Sequence, residues 1–324
     1  MGVLPSLQNQ DRYNGSISPD MALHRSFSSI YRTVLLTMVW PFSPRTRKSI
    51  ARIEVTGVIG ADARKRVLEA LKQVEEKNFP ALLLRIDSPG GTVGDSQEIY
   101  GALLRLREKV KVVASFGNIS ASGGVYIGMG AEHIVSNPGT ITGSIGVILR
   151  GNNLERLLDK VGVSFKVIKS GPYKDILAFD RELTAPEQTI LQELIDVSYR
   201  QFVQTVATAR NLSEETVRGF ADGRIFTGEQ ALSLGVVDRL GSEEDARVWA
   251  SELAGLDPEQ AECITLGEKK PAWRRILPGS SEQLRAPAAA LERWGLSLST
   301  ANAMLEWVEF EQATNGLPLW MYRP

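Results

Sequence analysis

The sequence is poor in the residues from which metal centres and disulfides are built. Its 324 residues include one cysteine, Cys263, and two histidines, His24 and His133. A lone cysteine excludes an internal disulfide, and this small set leaves little room for a zinc cluster. We therefore expect neither a metal nor a cofactor, and we expect any hydrolytic chemistry to use a base other than histidine.

The sequence also lacks an excess of either charge. Lys and Arg number 37 against 38 Asp and Glu, which gives a formal net charge of −1. This balance offers no electrostatic reason to expect a nucleic-acid partner. Hydrophobic residues make up 43% of the chain and charged residues 23%, a composition that supports a sizeable folded core.

The N-terminal part has no apolar run long enough to cross a bilayer. Its uncharged stretch, Thr33–Pro44, has 12 residues, against the roughly 20 that a spanning helix needs. Residues 1–49 are otherwise basic and contain aromatic side chains, which suits the surface of an anionic membrane. The alternative is that they pack on the protein itself or on a sister subunit. We expect peripheral membrane association, on the cytoplasmic side by default.

From residue 50 onward, predicted strands and helices alternate. Apolar spacing predicts strands over 81–86 and 110–116 and helices over 93–109 and 185–211. Such alternation predicts an α/β fold with a mostly parallel sheet and right-handed crossovers. The pattern fades after about residue 254, so we predict a main domain over 50–254. Residues 255–324, with four of the six tryptophans, form a predicted C-terminal extension.

Two segments that follow predicted buried strands carry neighbouring glycines. The first contains Gly90 and Gly91 at a predicted strand-to-helix turn. Because glycine has no Cβ, backbone N–H groups there can approach a ligand and stabilise a developing oxyanion. No Gly-Lys-Ser or Gly-Lys-Thr ending follows, so this is not a phosphate-binding loop. Such turns are common, and this one alone is weak evidence of a site.

The second segment places Ser122 where a loop becomes a short predicted helix, with Gly123 directly after it. A serine nucleophile needs an accessible hydroxyl and an adjacent N–H donor for the carbonyl oxygen, which Gly123 can supply. The segment is not the nucleophile elbow of the α/β-hydrolases, because Ser120 stands where that motif has glycine. The alternative is that Ser122 only caps the helix.

A serine nucleophile also needs a base. His133 lies at the start of a predicted strand, which favours a structural histidine. Lysine is the other candidate, although its pKa of about 10.4 in water must fall through burial before it can accept a proton. Lys166, Lys169 and Lys174 lie close together, and Lys174 follows Tyr173 in a predicted turn. Most lysines are simply solvated, so both interpretations stay open on these residues alone.

Five short motifs occur in a fixed order along the chain. They are D-S-P-G-G (87–91), A-S-G-G (121–124), T-G-S (142–144), K-S-G-P-Y-K-D (169–175) and D-G-R (222–224). In this order and spacing they resemble the signal peptide peptidase A family, over about residues 50–254. These are serine–lysine proteases with a fold like that of the Clp protease proteolytic subunit and the crotonases. The resemblance implies repeated β-β-α units with flanking helices.

By position, the resemblance implies that Ser122 is the nucleophile and Lys174 the general base. It also implies that Ser144 hydrogen-bonds the lysine amine and helps to hold it in place. A carboxylate beside the base would favour the charged form of the amine. We therefore expect Asp175 to point away from it, toward solvent or an arginine.

The resemblance further implies an oxyanion hole made by the N–H of Gly123 and one N–H of the turn at Gly90 and Gly91. Analogy with the Clp fold favours Gly90 over Gly91 as that second donor. The implied activity is that of a serine endopeptidase without a metal or cofactor, acting on extended apolar peptides such as cleaved signal peptides or membrane-protein fragments.

Single-length members of the family assemble into rings. The resemblance therefore implies a homo-oligomeric ring in which Ser122 and Lys174 can meet across a subunit boundary, while a dyad formed within one subunit stays open. Two alternatives remain at this point. A crotonase-type acyl-CoA enzyme uses the same two-donor oxyanion hole without a serine nucleophile, and an inactive membrane-associated scaffold would keep only the fold.

Overall fold

The computed structural model describes residues 46–267 and 319–321. The strands are β1 (Ser49–Thr56), β2 (Ala81–Ser88), β3 (Gly90–Thr92), β4 (Lys111–Ala121), β5 (His133–Ser136), β6 (Ile141–Gly143), β7 (Ile225–Thr227), β8 (Arg239–Leu240), β9 (Glu262–Leu266) and β10 (Leu319–Met321). The helices are α1 (Ala61–Glu76), α2 (Val93–Leu106), α3 (Gly123–Gly128), α4 (Glu155–Val161), α5 (Ala185–Arg210), α6 (Glu214–Arg218), α7 (Gly228–Ser233) and α8 (Glu243–Leu253).

Eight strands form one mostly parallel sheet. Its main order is β7-β6-β4-β2-β1-β9, and β5 pairs with both β4 and β8. The pairs from β9 across to β6 are parallel, while β7 runs antiparallel to β6. The predicted α/β class with a mostly parallel sheet is therefore confirmed. A separate two-stranded sheet is formed by β3 and β10, which are antiparallel.

Apolar side chains fill both faces of the sheet. One face packs against α1, α2, α3 and α5, with Val67, Leu103, Val125 and Phe202 among the buried side chains. The other face carries a smaller cluster, centred on Leu83, that α8 covers. Because strands of a parallel sheet are buried on both sides, β2 consists of a nearly continuous apolar run.

One predicted boundary is wrong in a way that matters for the site. Strand β4 continues to Ala121 instead of ending near residue 116. The polar residues after Phe116 stay in the sheet because the Asp87 carboxylate accepts N–H bonds from Asn118 and Ile119. The pairing of β2 with β4 is irregular at this point, and this irregularity carries β4 onward to the candidate site.

The two predicted extensions are described only in part. The basic N-terminal segment lies outside the described residues, apart from its last few positions, and so do residues 268–318. Two strands nevertheless come from beyond residue 254. Strand β9 pairs with β1 at the edge of the main sheet, and β10 pairs with β3.

Candidate active site

Three neighbouring parallel strands end at the same edge of the sheet and bring the predicted serines together. In the register of the sheet, Ser88 of β2 pairs with Ser120 of β4, and Ala121 of β4 pairs with Gly143 of β6. Ser122 and Ser144 each follow directly after the last of these pairs. Ligands of open α/β sheets bind at the carboxyl ends of the strands, so this edge is the place to look for a site.

Ser122 has the backbone of a residue held under strain. Its φ of 53° and ψ of −114° lie outside the regions that L-residues favour. Its N–H donates to the carbonyl of Gly143 at 2.8 Å, and its own carbonyl accepts the N–H of Tyr126 at 3.0 Å as α3 begins. Strain of this kind costs about 1–3 kcal/mol and tends to cluster at functional sites.

The Ser122 hydroxyl is buried and has no hydrogen-bond partner. The residue is 1% exposed, and its Oγ is among the few buried side-chain polar atoms of the described residues that make no hydrogen bond. The hydroxyl does not cap α3, so the structure does not support the capping alternative. An unpaired buried hydroxyl costs about 1–3 kcal/mol, a cost that a nucleophile awaiting its base would carry.

Three hydroxyls at the strand ends near Ser122 are engaged with the backbone. Ser88 Oγ donates to the carbonyl of Gly57 at 2.6 Å, and Ser120 Oγ donates to Ile86 at 2.7 Å. Thr142 Oγ1 donates to the carbonyl of Ser120 at 2.6 Å. These side chains therefore hold the strand ends together and leave Ser122 as the one hydroxyl of this group without a fixed role.

The predicted oxyanion turn is strand β3. Gly90 has a φ of +104°, which favours glycine, and a Cβ on Gly91 would come within 1.9 Å of the carbonyl oxygen of Ile59. The Gly90 carbonyl accepts the N–H of Ile59, and Thr92 donates to the Ile59 carbonyl, both at 2.9 Å. Both glycines are therefore needed for local geometry.

The two candidate N–H donors of the turn, those of Gly90 and Gly91, point to different neighbours. The N–H of Gly90 donates to Ser88 Oγ at 3.1 Å, so it would have to release this partner before binding an oxyanion. Because β3 uses Gly90 and Thr92 to bond Ile59, the N–H and C=O of Gly91 lie on the opposite edge. That edge is the one with which β10 pairs, through Trp320 opposite Gly91.

Gly123 and Gly124 follow Ser122 at the start of α3, and both are buried. A Cβ on Gly124 would lie 3.0 Å from the carbonyl oxygen of Ser88, which explains why a glycine is needed where α3 passes the end of β2. The N–H of Gly123 follows the candidate nucleophile directly, as the predicted oxyanion donor must.

Ser144 lies beside Ser122 and opens on a cavity. Its φ of 51° is again positive, and its N–H donates to the carbonyl of Arg224 at 2.8 Å. The cavity has a volume of about 460 Å³, and Ser144, Asp196, Tyr199 and Asp222 line it. Hydrogen bonds from Arg224 lower the pKa of Asp222 to about 2. The cavity therefore leaves room beside Ser144 for a side chain from another segment or another copy of the chain.

The structure does not bring the predicted base to Ser122. Lys174 lies in the loop between α4 and α5 and is exposed. Because Ser122 Oγ has no hydrogen-bond partner, the Lys174 amine is not within bonding distance of it in this chain. His133, the other histidine besides His24, begins β5 and stacks on Trp249 with ring centroids 4.3 Å apart, which is a structural role.

The Asp175 carboxylate faces an arginine, as predicted. Arg181 Nη2 binds one of its carboxylate oxygens at 2.9 Å, and Lys169 Nζ binds the same oxygen at 2.6 Å. The hydrogen bond from Arg181, followed by that from Lys169, lowers the pKa of the Asp175 carboxyl. The expectation that Asp175 faces an arginine is confirmed.

Sequence reasoning missed the two residues that anchor this arrangement. Arg181 also binds Glu187, which is 1% exposed and lies in the first turn of α5. Glu187 accepts from the N–H and hydroxyl of Thr184, each at 2.9 Å, in a capping box. The spacing Thr184-x-x-Glu187 is a capping-box signal that could have predicted this contact, while nothing local indicates the partner arginine.

Neither a metal site nor a spanning helix appears in the described part of the chain. No cluster of three or more histidine, cysteine or acidic side chains there has a geometry that could hold a metal ion. None of the helices within 46–267 combines the length and the apolar character that a membrane span requires.

Comparisons with solved structures give matches of low overall similarity. A ClpP1 variant from Listeria monocytogenes matches 60% of this chain and 93% of its own, with a TM-score of 0.43 and 18% identity. A membrane-bound stomatin-specific protease matches 68% of this chain and 99% of its own, with a TM-score of 0.48 and 17% identity.

Comparisons of sequence give closer relatives. A putative protease of Synechocystis is 68% identical over 286 residues, which are 88% of this chain and the whole of that protein. A putative signal peptide peptidase SppA of Enterococcus faecium is 36% identical over 62% of each chain. Protease 4 of Salmonella typhi is 36% identical over 63% of this chain and 32% of its own length.

The model of peptidase family S49 matches residues 105–257. This range contains Ser122, Ser144 and Lys174, and it ends where α8 has closed the second face of the sheet. Together with a relative matched along its whole length, this match confirms the resemblance to the signal peptide peptidases. The chain belongs to peptidase family S49 and is a serine-type peptidase.

Proposed function

We propose that this chain cleaves peptide bonds with Ser122 as nucleophile and Lys174 as general base, the lysine being supplied by a neighbouring copy of the chain. The observation that carries the proposal is the buried hydroxyl of Ser122, which lies at a strained backbone position without any partner. The described residues around it provide adjacent N–H donors and room for a base, and none of them offers the hydroxyl a base.

The exposed position of Lys174 supports the shared site. A lysine in water is protonated at neutral pH and cannot accept a proton, so a lysine base must be desolvated. In this chain Lys174 is exposed, whereas a docked second copy would exclude water from it. The cavity beside Ser144 has the space to admit a lysine side chain from such a neighbour.

The surface around Lys174 is suited to contact a second copy. Helix α4 has no buried residue, and it and the loop after it carry large apolar side chains that are mostly exposed. They are Leu157, Val161, Phe165 and Ile168, with exposed fractions of 57%, 63%, 53% and 102%. Contiguous exposed apolar patches mark interaction sites on soluble proteins. We name these four residues the α4 patch.

The chemistry follows from these positions. The uncharged Lys174 amine accepts the proton of Ser122 Oγ as the oxygen attacks the peptide carbonyl. The N–H of Gly123 and one N–H of the Gly90–Gly91 turn bind the tetrahedral oxyanion. The protonated lysine then gives its proton to the leaving amine, and water activated by the same amine hydrolyses the acyl-enzyme. Ser144 would hold the amine during both steps.

The proposed substrates are extended apolar peptides, such as cleaved signal peptides or fragments of membrane proteins. One relative is named as a signal peptide peptidase, and the free edge of an exposed strand binds peptides in extended form. Peripheral membrane association through the basic N-terminal segment belongs to the same proposal. That segment lies outside the described residues.

Covalent labelling tests the dyad. A fluorophosphonate should label Ser122 in the wild-type protein and leave Ser122→Ala unlabelled. Lys174→Ala should slow labelling and hydrolysis of a quenched apolar peptide by about 100-fold or more, the usual contribution of a general base. Lys166→Ala, an exposed lysine of the same segment, serves as the matched control and should react at the wild-type rate.

Two results would contradict the proposal. Labelling at a different serine would remove Ser122 from its role, and full activity of Lys174→Ala would remove the base. A protein that is never labelled and does not cleave peptides would instead favour the acyl-CoA enzyme or the inactive scaffold.

A further inference from the structure

The segment that carries Lys174 is fixed to the body of the protein by one arginine. Arg181 Nη2 binds Asp175 Oδ1 at 2.9 Å and the Asp175 carbonyl at 3.1 Å. The same guanidinium binds Glu187 through Nη1 at 2.8 Å and Nη2 at 2.5 Å. Asp175 is the next residue after Lys174, so the arginine ties the neighbour of the candidate base to the first turn of α5.

Glu187 is a firm anchor for this arginine. Its side chain is almost completely buried, and it accepts two hydrogen bonds from Thr184 besides those from Arg181. The Arg181 guanidinium, followed by the N–H of Thr184, lowers the pKa of the Glu187 carboxyl to about 2. Glu187 therefore remains ionised at any pH at which the peptidase would work.

Asp175 is the carboxylate closest in sequence to Lys174, and its charge works against the proposed reaction. A free carboxylate beside an amine favours the protonated amine, which cannot act as a base. Two cations face the Asp175 carboxylate within the described residues, Arg181 and Lys169, while Arg181 itself faces Asp175 and Glu187. The side chain of Lys174 makes no hydrogen bond or ion pair with the described part of the chain.

We propose that Arg181 is a positioning residue that holds the Asp175 carboxylate away from the Lys174 amine. The proposal rests on the function of Lys174 proposed above. Arg181 does not touch the reacting atoms. It acts by compensating the charge of Asp175 and by fixing the direction in which the Lys169–Arg181 segment presents the lysine. Lys169 assists it, because its amine binds both Asp175 and the carbonyl of Pro172, at 3.0 Å.

The pH dependence of kcat/KM provides the test. In Arg181→Gln the Asp175 carboxylate loses its main partner and becomes free to pair with Lys174. The acid limb of the profile should then move to higher pH by about one unit, with activity recovering at alkaline pH and KM nearly unchanged. Arg181→Lys keeps a cation and should show a smaller shift.

The double variant Arg181→Gln/Asp175→Asn separates charge from structure. It removes the carboxylate as well as its partner, so the acid limb should return toward its wild-type position. Arg52→Gln is the matched control, because Arg52 also bridges two carboxylates, Glu54 and Glu243, on β1. It should leave the profile in place even if it lowers the melting temperature.

Two outcomes can be told apart. If Lys174→Ala abolishes activity but Arg181→Gln lowers the rate equally at every pH and Asp175→Asn restores nothing, Arg181 is only structural and the inference is wrong. If Lys174→Ala keeps full activity, the proposed function itself fails, whatever the Arg181 variants show.

Discussion

Backbone strain and a buried hydroxyl without a hydrogen bond coincide at Ser122. The serines and threonine around it donate to backbone carbonyls, while its own hydroxyl has no such bond. Removing the hydroxyl should therefore cost little stability. Alanine at this position removes the hydroxyl but keeps the Cβ, and therefore the strain of the positive φ. Glycine removes both, so the two substitutions separate the effect of strain from that of the lost hydroxyl.

Glycine and alanine at position 122 should differ in stability although both abolish activity. Ser122→Gly relieves the strained backbone and should be more stable than Ser122→Ala by about 1 kcal/mol. At Ser120, which lies in β4, the order should reverse, because glycine weakens a strand by about 0.5–1 kcal/mol relative to alanine. Urea denaturation of the four variants measures both differences. Equal stability of the two position-122 variants would show that this backbone is not strained.

For single residues, the sequence predicts a role well when that role depends on residues adjacent in the chain. The position of Asp175 followed from its place beside Lys174, since an adjacent carboxylate has to be compensated. Arg181 could not be chosen in the same way, because its two carboxylate partners lie six residues away on either side. Only the folded loop shows that they converge.

Strand β3 lies between two backbone segments from distant parts of the chain. On one edge it bonds Ile59, and on the other it pairs with β10 in antiparallel orientation. The N–H and C=O of Gly91 lie on this second edge, which faces β10. Since an extended substrate at the oxyanion turn would use such an edge, we expect β10 and a peptide substrate to compete for it.

Removal of residues 319–324 should therefore speed up the reaction of Ser122. We expect fluorophosphonate labelling of the shortened chain to be several-fold faster, because β10 no longer occupies the edge of β3. A synthetic peptide of residues 317–324 should slow the labelling again, and a scrambled peptide of the same composition should not. Unchanged labelling after the removal would mean that β10 does not obstruct the site.

Periodicity predicted most elements of the main domain, because apolar residues decide which segments are buried. It failed where polar contacts decide. Strand β4 extends past Phe116 because Asp87 binds its backbone, and β9 was not predicted because its spacing is not distinctive and its place depends on the free edge of β1. The pairing of β3 with β10 joins segments more than 200 residues apart, and no local pattern indicates it.

At the scale of the whole molecule, the candidate nucleophile and the proposed base are presented in different parts of the described chain. The described chain brings Ser122, Ser144 and the proposed glycine donors to one sheet edge, and Lys174 is exposed in the loop that follows the α4 patch in sequence. Family motifs could point to Ser122 and Lys174 as the two residues of the proposed dyad. They could not show whether one chain brings the two together, since that depends on tertiary and quaternary contacts.

Mixing of two inactive variants tests whether the site is shared. Ser122→Ala chains retain the lysine, and Lys174→Ala chains retain the serine. In a ring with head-to-tail contacts, an equal mixture should recover about a quarter of the wild-type activity per site. On average one contact in four joins a subunit that retains Ser122 to a neighbour that retains Lys174. Peptide hydrolysis measures the recovery, and each variant alone is the control. No recovery in rings shown to contain both variants would place the complete site within one subunit.

The unpaired hydroxyl of Ser122 also bears on when this peptidase becomes active in the cell. In the proposed shared site, a newly synthesised chain carries the nucleophile without its base, so proteolysis would wait until copies encounter one another. The activity per chain should then rise with protein concentration and disappear on dilution. In that way protein concentration alone would keep the enzyme latent.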